Sequence, residues 1–185
     1  MPDNAKVLLY GGIFEKRRNP DFLIKVFASL TRTFSDLYLV MVGDGHLLNK
    51  CKNLVAQLGL NERIIFTSKL SQSELPSLYR RANLFLLPSE YEIYGMVIIE
   101  SMYFGTPVIS SMTAGACEII EDGIDGRIVK ELDLNKWAIA ISELLIQQEK
   151  YQELSLNAEK KIKENFLWEK VAECYAKIYR QVILR

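Results

Sequence analysis

The sequence predicts an α/β protein in which a doubly wound parallel sheet of about six strands is followed by C-terminal helices. Short apolar runs without polar alternation recur as far as Val129, as expected for strands buried on both faces of a sheet. Segments with helical spacing separate these runs, which is typical of a parallel sheet covered by helices. Beyond Val129 only helical spacing remains, and we expect residues 1–185 to form one domain.

Six apolar runs have the length and composition of strands. Most are rich in Val, Ile, Leu and Phe, which suit a sheet with both faces covered. In chain order the predicted strands span 7–14, 37–43, 63–68, 82–89, 107–111 and 126–129. Parallel strands need right-handed crossovers, so the intervening segments should lie on both faces of the sheet.

The helices between the first strands carry start and stop signals. Asn19 is predicted to cap the first helix, and Pro20 suits its first position. Gly59 is predicted to close the second helix. Ser71 and Glu74 have the spacing of a capping box, which predicts that the third helix starts there.

Two short helices and three long ones complete the prediction. The first short helix begins near Gly95 and ends at Gly105, and the second is predicted to start at Glu118. The long helices are predicted at 133–147, 149–164 and 167–184. The last of these carries its apolar residues on one stripe.

The composition argues against several classes of protein. Lys plus Arg and Asp plus Glu both number 23, so net charge gives no reason to expect a nucleic-acid partner or membrane attraction. Three distant cysteines and one histidine, without CxxC spacing, argue against a disulfide framework or a zinc site. We therefore expect a cytoplasmic protein. Neither a signal peptide nor an apolar run of about 18 residues is evident, so no transmembrane helix is predicted.

Ligands of doubly wound sheets bind beyond the carboxyl ends of the strands, which makes the loops there candidate sites. The first loop, "GGIFEKRRN", combines Gly11 and Gly12 with Lys16, Arg17 and Arg18. Glycines permit close backbone approach, and the cations could hold a phosphate. A solvated basic turn explains the same residues equally well. Neither G-x-G-x-x-G nor a P-loop is present.

Two further loops are glycine turns, each with two open interpretations. "VGDGHL" is either a tight connection capped by Asp44, which we favour, or a place where a ligand lies against Gly43 or Gly45. "AGACEII" could present the Gly115 and Ala116 amides to an anion, or could be a structural turn.

The richest loop is "SEYEIYGMVIIE". If a helix begins at Gly95, its first amides lack intrahelical acceptors and form an anion site with the positive end of the helix dipole. Glu92 precedes this site, and Glu100 lies inside an apolar run, where an unpaired carboxylate would be unfavourable. Carboxylates accept hydrogen bonds from vicinal diols, so the two acids suit a ligand with hydroxyl groups on either side of an anion. Alternatively, Glu100 pairs with a basic side chain or a cap.

Several motifs in order resemble those of one family. They are "LVMVGDGHL", "RIIFTSKLSQSELPSLYRRANLFLLPS", "YGMVIIESMYFGTPVISS", "GACEIIEDGIDGRIV" and the Glu–seven residues–Glu spacing from Glu92 to Glu100. From residue 7 to about residue 182 the chain resembles the C-terminal, donor-binding half of a retaining GT-B glycosyltransferase of family 4, or glycosyltransferase group 1. The resemblance implies a Rossmann-like domain that binds a nucleotide-diphosphate sugar.

The resemblance also implies a role for each candidate residue. Glu100 would hold the ribose hydroxyls, Glu92 would meet the transferred sugar, and Arg18 would act on the diphosphate. Glu92 and Arg18 are therefore the predicted catalytic residues. The nucleotide base would lie near the loop that follows the third strand. The predicted donor-binding residues are therefore Gly11, Gly12, Lys16, Arg17, Gly43, Ser68, Lys69, Leu70, Tyr94, Gly95, Met96, Val97 and Glu100.

The chain departs from the family pattern in two ways. The Arg that usually follows the first strand falls on Gly12 or Ile13, so one phosphate clamp is missing or Lys16 replaces it. GT-B enzymes have two domains, and we expect this chain to lack the N-terminal one, which carries the acceptor site. The isolated domain is then expected to be inactive. The apolar stripe of the last helix, which normally packs on that domain, is expected to be partly exposed.

The predicted function is donor binding for transfer of a hexose to an acceptor hydroxyl with retention of configuration. The resemblance implies a glycan or glycolipid acceptor, polysaccharide synthesis, and a cytoplasmic protein that could lie peripherally at the membrane surface in its full-length form. No metal or cofactor is expected, because no DxD-like signature stands in a suitable loop and a basic side chain with helix amides can stabilise a leaving diphosphate. One alternative is a non-catalytic nucleotide-sugar-binding subunit that needs a partner chain. Another is an unrelated module such as half of a dehydrogenase, which the missing G-x-G-x-x-G disfavours.

Overall fold

The computed structural model describes residues 1–68, 70–71 and 73–183, in which six strands form a parallel sheet. The strands are β1 (Lys6–Gly11), β2 (Leu37–Val42), β3 (Ile64–Thr67), β4 (Leu84–Leu87), β5 (Val108–Ser111) and β6 (Arg127–Val129). Their spatial order is β3-β2-β1-β4-β5-β6, so the chain reverses its direction of travel across the sheet between β1 and β4. The predicted doubly wound, Rossmann-like class is confirmed.

The predicted helices are all present, with ends that differ by a few residues. A single 3-10 turn, Lys16–Arg18, precedes the first helix. The helices are α1 (Pro20–Leu30), α2 (Leu48–Gln57), α3 (Leu75–Arg81), α4 (Met96–Tyr103), α5 (Ala114–Ile119), α6 (Leu134–Ile146), α7 (Gln148–Asn165) and α8 (Trp168–Ile183).

The core has two layers, one on each face of the sheet. Alternate residues of β1 enter different layers: Leu8 and Tyr10 pack with α1, α2 and α6, whereas Val7 and Leu9 pack with α3, α4, α5 and α7. Burial of one large apolar side chain contributes about 1.5–3 kcal/mol. Apolar burial stabilises both faces of the sheet, which explains why the strand sequences lack polar alternation.

Two predictions about the ends of the first elements were wrong. β1 ends at Gly11 rather than residue 14, because the Phe14 N–H donates to the Asp44 carbonyl (2.9 Å) and turns the chain away from the sheet. Asn19 occupies the N-cap position of α1, but its side-chain amide donates to the Pro88 carbonyl (3.0 Å) instead of capping the helix. Because Asn19 has a φ of 49°, its side chain points across to the neighbouring loop.

The predicted capping box forms a turn rather than a helix start. The Glu74 carboxylate accepts a hydrogen bond from the Ser71 N–H (2.9 Å), as the motif requires. However, α3 begins only at Leu75, with Pro76 in its first turn. Since proline favours the first turn of a helix, it fixes the start after the Ser71–Glu74 pair.

The last helix lies largely in solvent. None of the residues of α8 is buried, and its apolar stripe includes Trp168, Tyr179 and Val182, which are 81%, 63% and 68% exposed. The expected exposure of this stripe is confirmed. No helix among the described residues is long and apolar enough to cross a membrane.

Candidate functional site

The candidate site lies at the carboxyl ends of β1 and β4, the two neighbouring strands between which the strand order reverses. These strands are neighbours, but the helices that follow them, α1 and α4, pack on opposite faces of the sheet. The loops after the two strands diverge and leave a crevice, which is the usual ligand position in this architecture. The crevice therefore brings together the first basic loop and the loop that carries Glu92.

Hydrogen bonds to backbone carbonyls join these two loops. The Glu90 N–H donates to the Arg17 carbonyl (2.8 Å). The Asn19 side-chain amide donates to the Pro88 carbonyl (3.0 Å), and the Arg17 guanidinium donates to the Tyr91 carbonyl (3.3 Å). Because several bonds span the crevice floor, the two loops hold one defined geometry.

Arg18 and Glu92 form an ion pair across the crevice. Their side chains are only 14% and 12% exposed, and one guanidinium nitrogen, Nη1, contacts both the Glu92 carboxylate and the Ser89 hydroxyl (3.4 Å). The buried Nε of Arg18 has no hydrogen-bond acceptor in the described part of the chain. The two predicted catalytic residues are thus brought together, and Arg18 retains an unused donor.

The start of α4 provides free amide donors beside this pair. Gly95 precedes the helix with a φ of 75°, a backbone conformation that favours glycine. The Ile98 N–H donates to the Gly95 carbonyl (2.8 Å), whereas the Met96 and Val97 N–H groups donate to no backbone acceptor among the described residues. Such amides, at the positive end of a helix, favour an anion.

The neighbouring loop at Gly115 is structural. The Gly115 N–H donates to the Glu92 carbonyl (2.9 Å), and a Cβ at Gly115 would lie 2.9 Å from the Tyr94 carbonyl carbon. The Ala116 N–H donates to the Thr113 hydroxyl (3.2 Å), which caps α5. Both amides are therefore occupied, and the structural interpretation of this loop is the correct one. Gly115 fixes the Glu92 loop by close backbone contact.

Glu100 lies half-buried on α4 and accepts a hydrogen bond from the Tyr79 hydroxyl (2.9 Å). Burial, followed by the charge of Glu100, raises the pKa of Tyr79 well above its usual range. The partner is thus neither a basic side chain nor a cap, which were the expected alternatives. Sequence analysis missed Tyr79, although a tyrosine inside the short helix before β4 was visible.

The glycines of the second loop have a packing role. A Cβ at Gly43 would lie 2.0 Å from the Gly12 carbonyl oxygen, and one at Gly45 would lie 2.5 Å from the Phe14 carbonyl oxygen. The Asp44 carboxylate accepts from the Gly45 N–H (2.7 Å) and does not cap α2, which begins at Leu48. The tight turn is present, the predicted cap is wrong, and donor contact with Gly43 stays a prediction.

The other predicted donor residues surround the crevice or lie beyond β3. Lys16 is exposed on the 3-10 turn, and Arg17 pairs with Glu15 (2.7 Å). At the predicted position of the nucleotide base, Ser68 is exposed and Leu70 packs against the core, while Lys69 lies outside the described residues. Tyr94 and Met96 are also exposed, 58% and 49%.

An apolar cavity of about 390 Å³ lies beside Glu100, between α4 and the α7–α8 region. Aromatic and aliphatic side chains form most of its lining, including Tyr103, Phe166 and Trp168. Glu100 therefore stands at the border between the polar crevice and an apolar surface.

The family model described as "Glycosyl transferases group 1" matches residues 1–161. A curated relative, alpha-D-kanosaminyltransferase from Streptomyces kanamyceticus, is 29% identical over 180 residues, which cover 97% of this chain and 47% of the relative. The chain thus spans about half the length of the curated relatives it matches.

Solved structures with the same fold include HepE from Anabaena, determined with UDP-glucose. It has a TM-score of 0.87 and 21% identity over 96% of this chain and 49% of that one. Sucrose-phosphate synthase from Thermosynechococcus elongatus has a TM-score of 0.88 and 28% identity over 100% of this chain and 47% of that one. The C-terminal domain of LpcC, a group 1 protein from Francisella tularensis, has a TM-score of 0.81 and 22% identity, covering 91% of this chain and 89% of that one.

Loss of the ion pair across the crevice should destabilise the protein more than loss of an exposed ion pair. Arg18→Ala should lower the free energy of unfolding by about 1–3 kcal/mol, because the mostly buried Glu92 carboxylate loses its charged partner. Lys50→Ala is the control, since it removes the exposed Lys50–Asp21 pair (3.5 Å) and should change stability by less than about 0.5 kcal/mol. Urea unfolding measures both. Equal effects of the two substitutions would contradict a structural role for the Arg18–Glu92 pair.

Proposed function

This chain belongs to the glycosyl transferases group 1 family, as its motifs indicated, and we propose that it is the donor-binding half of a retaining hexosyltransferase. The supporting observation is the arrangement at the start of α4. Free amide donors at Met96 and Val97 lie between two carboxylates, Glu92 before the helix and Glu100 inside it. A nucleotide-diphosphate sugar has matching chemistry, with two anionic phosphates between two groups that carry hydroxyls.

The diphosphate would occupy the positive region of the crevice. The α4 amides and the free Nε of Arg18 are available donors, and Lys16 and Arg17 lie on the same loop. When the bond between the sugar and the phosphate breaks, negative charge grows on the leaving diphosphate. Fixed donors that already point at that position stabilise the charge without reorganisation. We propose that these groups act without a metal.

The two carboxylates would serve the two ends of the donor. Glu100 lies more than one turn inside α4, where it would accept hydrogen bonds from the ribose hydroxyls. Glu92 lies in front of the helix and would accept hydrogen bonds from hydroxyls of the transferred sugar. Because Arg18 already contacts Glu92, the same guanidinium would link the sugar end to the diphosphate.

A second domain would supply the acceptor site. The chain covers only 47% of the kanosaminyltransferase and 89% of a solved chain described as a C-terminal domain. The exposed apolar stripe of α8 is a surface suited to packing on such a domain. We propose that the acceptor, a glycan or glycolipid, binds through the second domain and that the isolated chain binds donor without transferring sugar.

Loss of the Glu100 carboxylate should weaken nucleotide binding. Glu100→Ala is expected to raise the Kd of UDP about tenfold or more, because each hydrogen bond to a charged group contributes about 1.5–3 kcal/mol. Calorimetric titration with UDP, GDP and ADP measures this. Glu62→Ala, at an exposed position before β3, is the control and should bind like wild type. No binding of any of the three by wild type at millimolar concentration would refute the proposed site.

Loss of the Glu92 carboxylate should affect only the sugar end. Wild type is expected to prefer UDP-sugar over UDP, or the corresponding pair for another base. Glu92→Ala should reduce that preference about tenfold, the effect of one or two lost hydrogen bonds, while the Kd of the free diphosphate changes less. Because Arg18 loses its partner in this variant, a thermal unfolding curve must accompany the titration. An unchanged preference in a folded variant would remove Glu92 from the sugar site.

A further inference from the structure

Tyr79 is held rigidly at three places beneath the crevice. Its ring is buried between Phe85 and Phe104, with centroids 5.8 Å away in both cases. The Phe104 ring is nearly parallel to it, at 16°. The Thr106 hydroxyl donates to the Tyr79 carbonyl (2.6 Å), and the tyrosine hydroxyl is bound at its other end to Glu100. A residue whose backbone carbonyl is hydrogen-bonded and whose ring is packed on both sides loses little further entropy when a ligand binds.

The contact with Glu100 is directional. The Tyr79 hydroxyl donates to one carboxylate oxygen, Oε2 (2.9 Å), which leaves the other oxygen and the remaining lone pairs available as acceptors. No ion pair to Glu100 is found within the described residues, so this hydroxyl is its structural anchor there. The Tyr79 phenol is protonated at neutral pH, as in any ordinary tyrosine, and is therefore a donor; burial raises its pKa further.

We infer that Tyr79 is a positioning residue that orients the Glu100 carboxylate toward the ribose diol of the donor. This inference rests on the proposed function, because it assigns the selectivity of the same site to a residue that cannot reach the ligand itself. A glutamate side chain without an anchor samples several rotamers, and its two oxygens would meet the diol in only some of them. The fixed Tyr79 hydroxyl selects one of these Glu100 rotamers.

The consequence is discrimination between ribose and 2′-deoxyribose. An oriented carboxylate gains two hydrogen bonds from an intact diol but only one from a 2′-deoxy nucleotide. Tyr79→Phe keeps the ring and its packing and removes only the hydroxyl. The variant should therefore stay folded but lose part of the preference for the ribonucleotide.

The experiment compares a nucleoside diphosphate with its 2′-deoxy form by calorimetric titration of the whole chain. The base is whichever of UDP, GDP and ADP wild type binds most tightly. Tyr79→Phe should raise the Kd of the ribonucleotide about three- to tenfold and that of the deoxy form about twofold at most. Tyr151→Phe is the matched control. This half-buried tyrosine lies near the start of β1, at the amino ends of the strands and away from the crevice, so both Kd values should stay unchanged.

A double-mutant cycle separates positioning from a general structural effect. In a Glu100→Ala background, Tyr79→Phe should have no further effect on either Kd, because the group that it orients is absent. Equal losses for both nucleotides, or a further loss in the Glu100→Ala background, would show a merely structural role and overturn the inference. A folded Tyr79→Phe variant with unchanged discrimination would overturn it as well. Absence of binding by wild type would instead overturn the proposed function, and this inference with it.

Discussion

The ion pair between Arg18 and Glu92 is the contact on which the candidate site depends. It joins the loop after β1 to the loop after β4, at the place where the strand order reverses. Two charges that are each more than four-fifths buried would be unfavourable apart, and together they fix the position of Glu92 in front of α4. The backbone bond from Glu90 to Arg17 and the bond from the Asn19 side-chain amide to the Pro88 carbonyl hold the same two loops, so the charges meet on a defined floor. Under the proposed function, a bound donor would share Arg18 with Glu92, which would link the two ends of the donor.

Glu100, on the other side of the α4 start, is likewise a partly buried carboxylate that depends on a polar partner. An acid among Met96, Val97, Ile98 and Ile99 needs a polar partner, and the Tyr79 hydroxyl provides one without neutralising the charge. A basic partner would have consumed the acceptor capacity of the carboxylate, whereas a single phenol leaves most of it free. The free amides of Met96 and Val97 lie between these two anchored acids, which gives the crevice an alternation of acceptor, donor and acceptor groups.

The sequence predicted the local features of this molecule and missed most of the distant ones. Strands and helices were predicted correctly because apolar spacing records which faces are buried, and the helix start at Gly95 was visible from the glycine and the apolar run after it. The Arg18–Glu92 pair joins residues 74 positions apart, and the Tyr79–Glu100 bond joins residues 21 positions apart. No local pattern encodes such partners. The error at Asn19 has the same origin, because its side chain bonds to the distant Pro88 carbonyl instead of capping α1. The error at Ser71 is local, since Pro76 fixes the start of α3 after the Ser71–Glu74 pair.

The central claim is that a diphosphate binds at the start of α4 between Glu92 and Glu100. The most direct measurement is a titration of the isotopically labelled chain with UDP, GDP or ADP, followed through its backbone amide resonances. The account predicts that the largest shifts fall on Gly95, Met96 and Val97, with downfield movement of the Met96 and Val97 amide protons as they gain an acceptor. Shifts concentrated on α6 or on the exposed stripe of α8, with those of residues 95–97 unchanged, would contradict it.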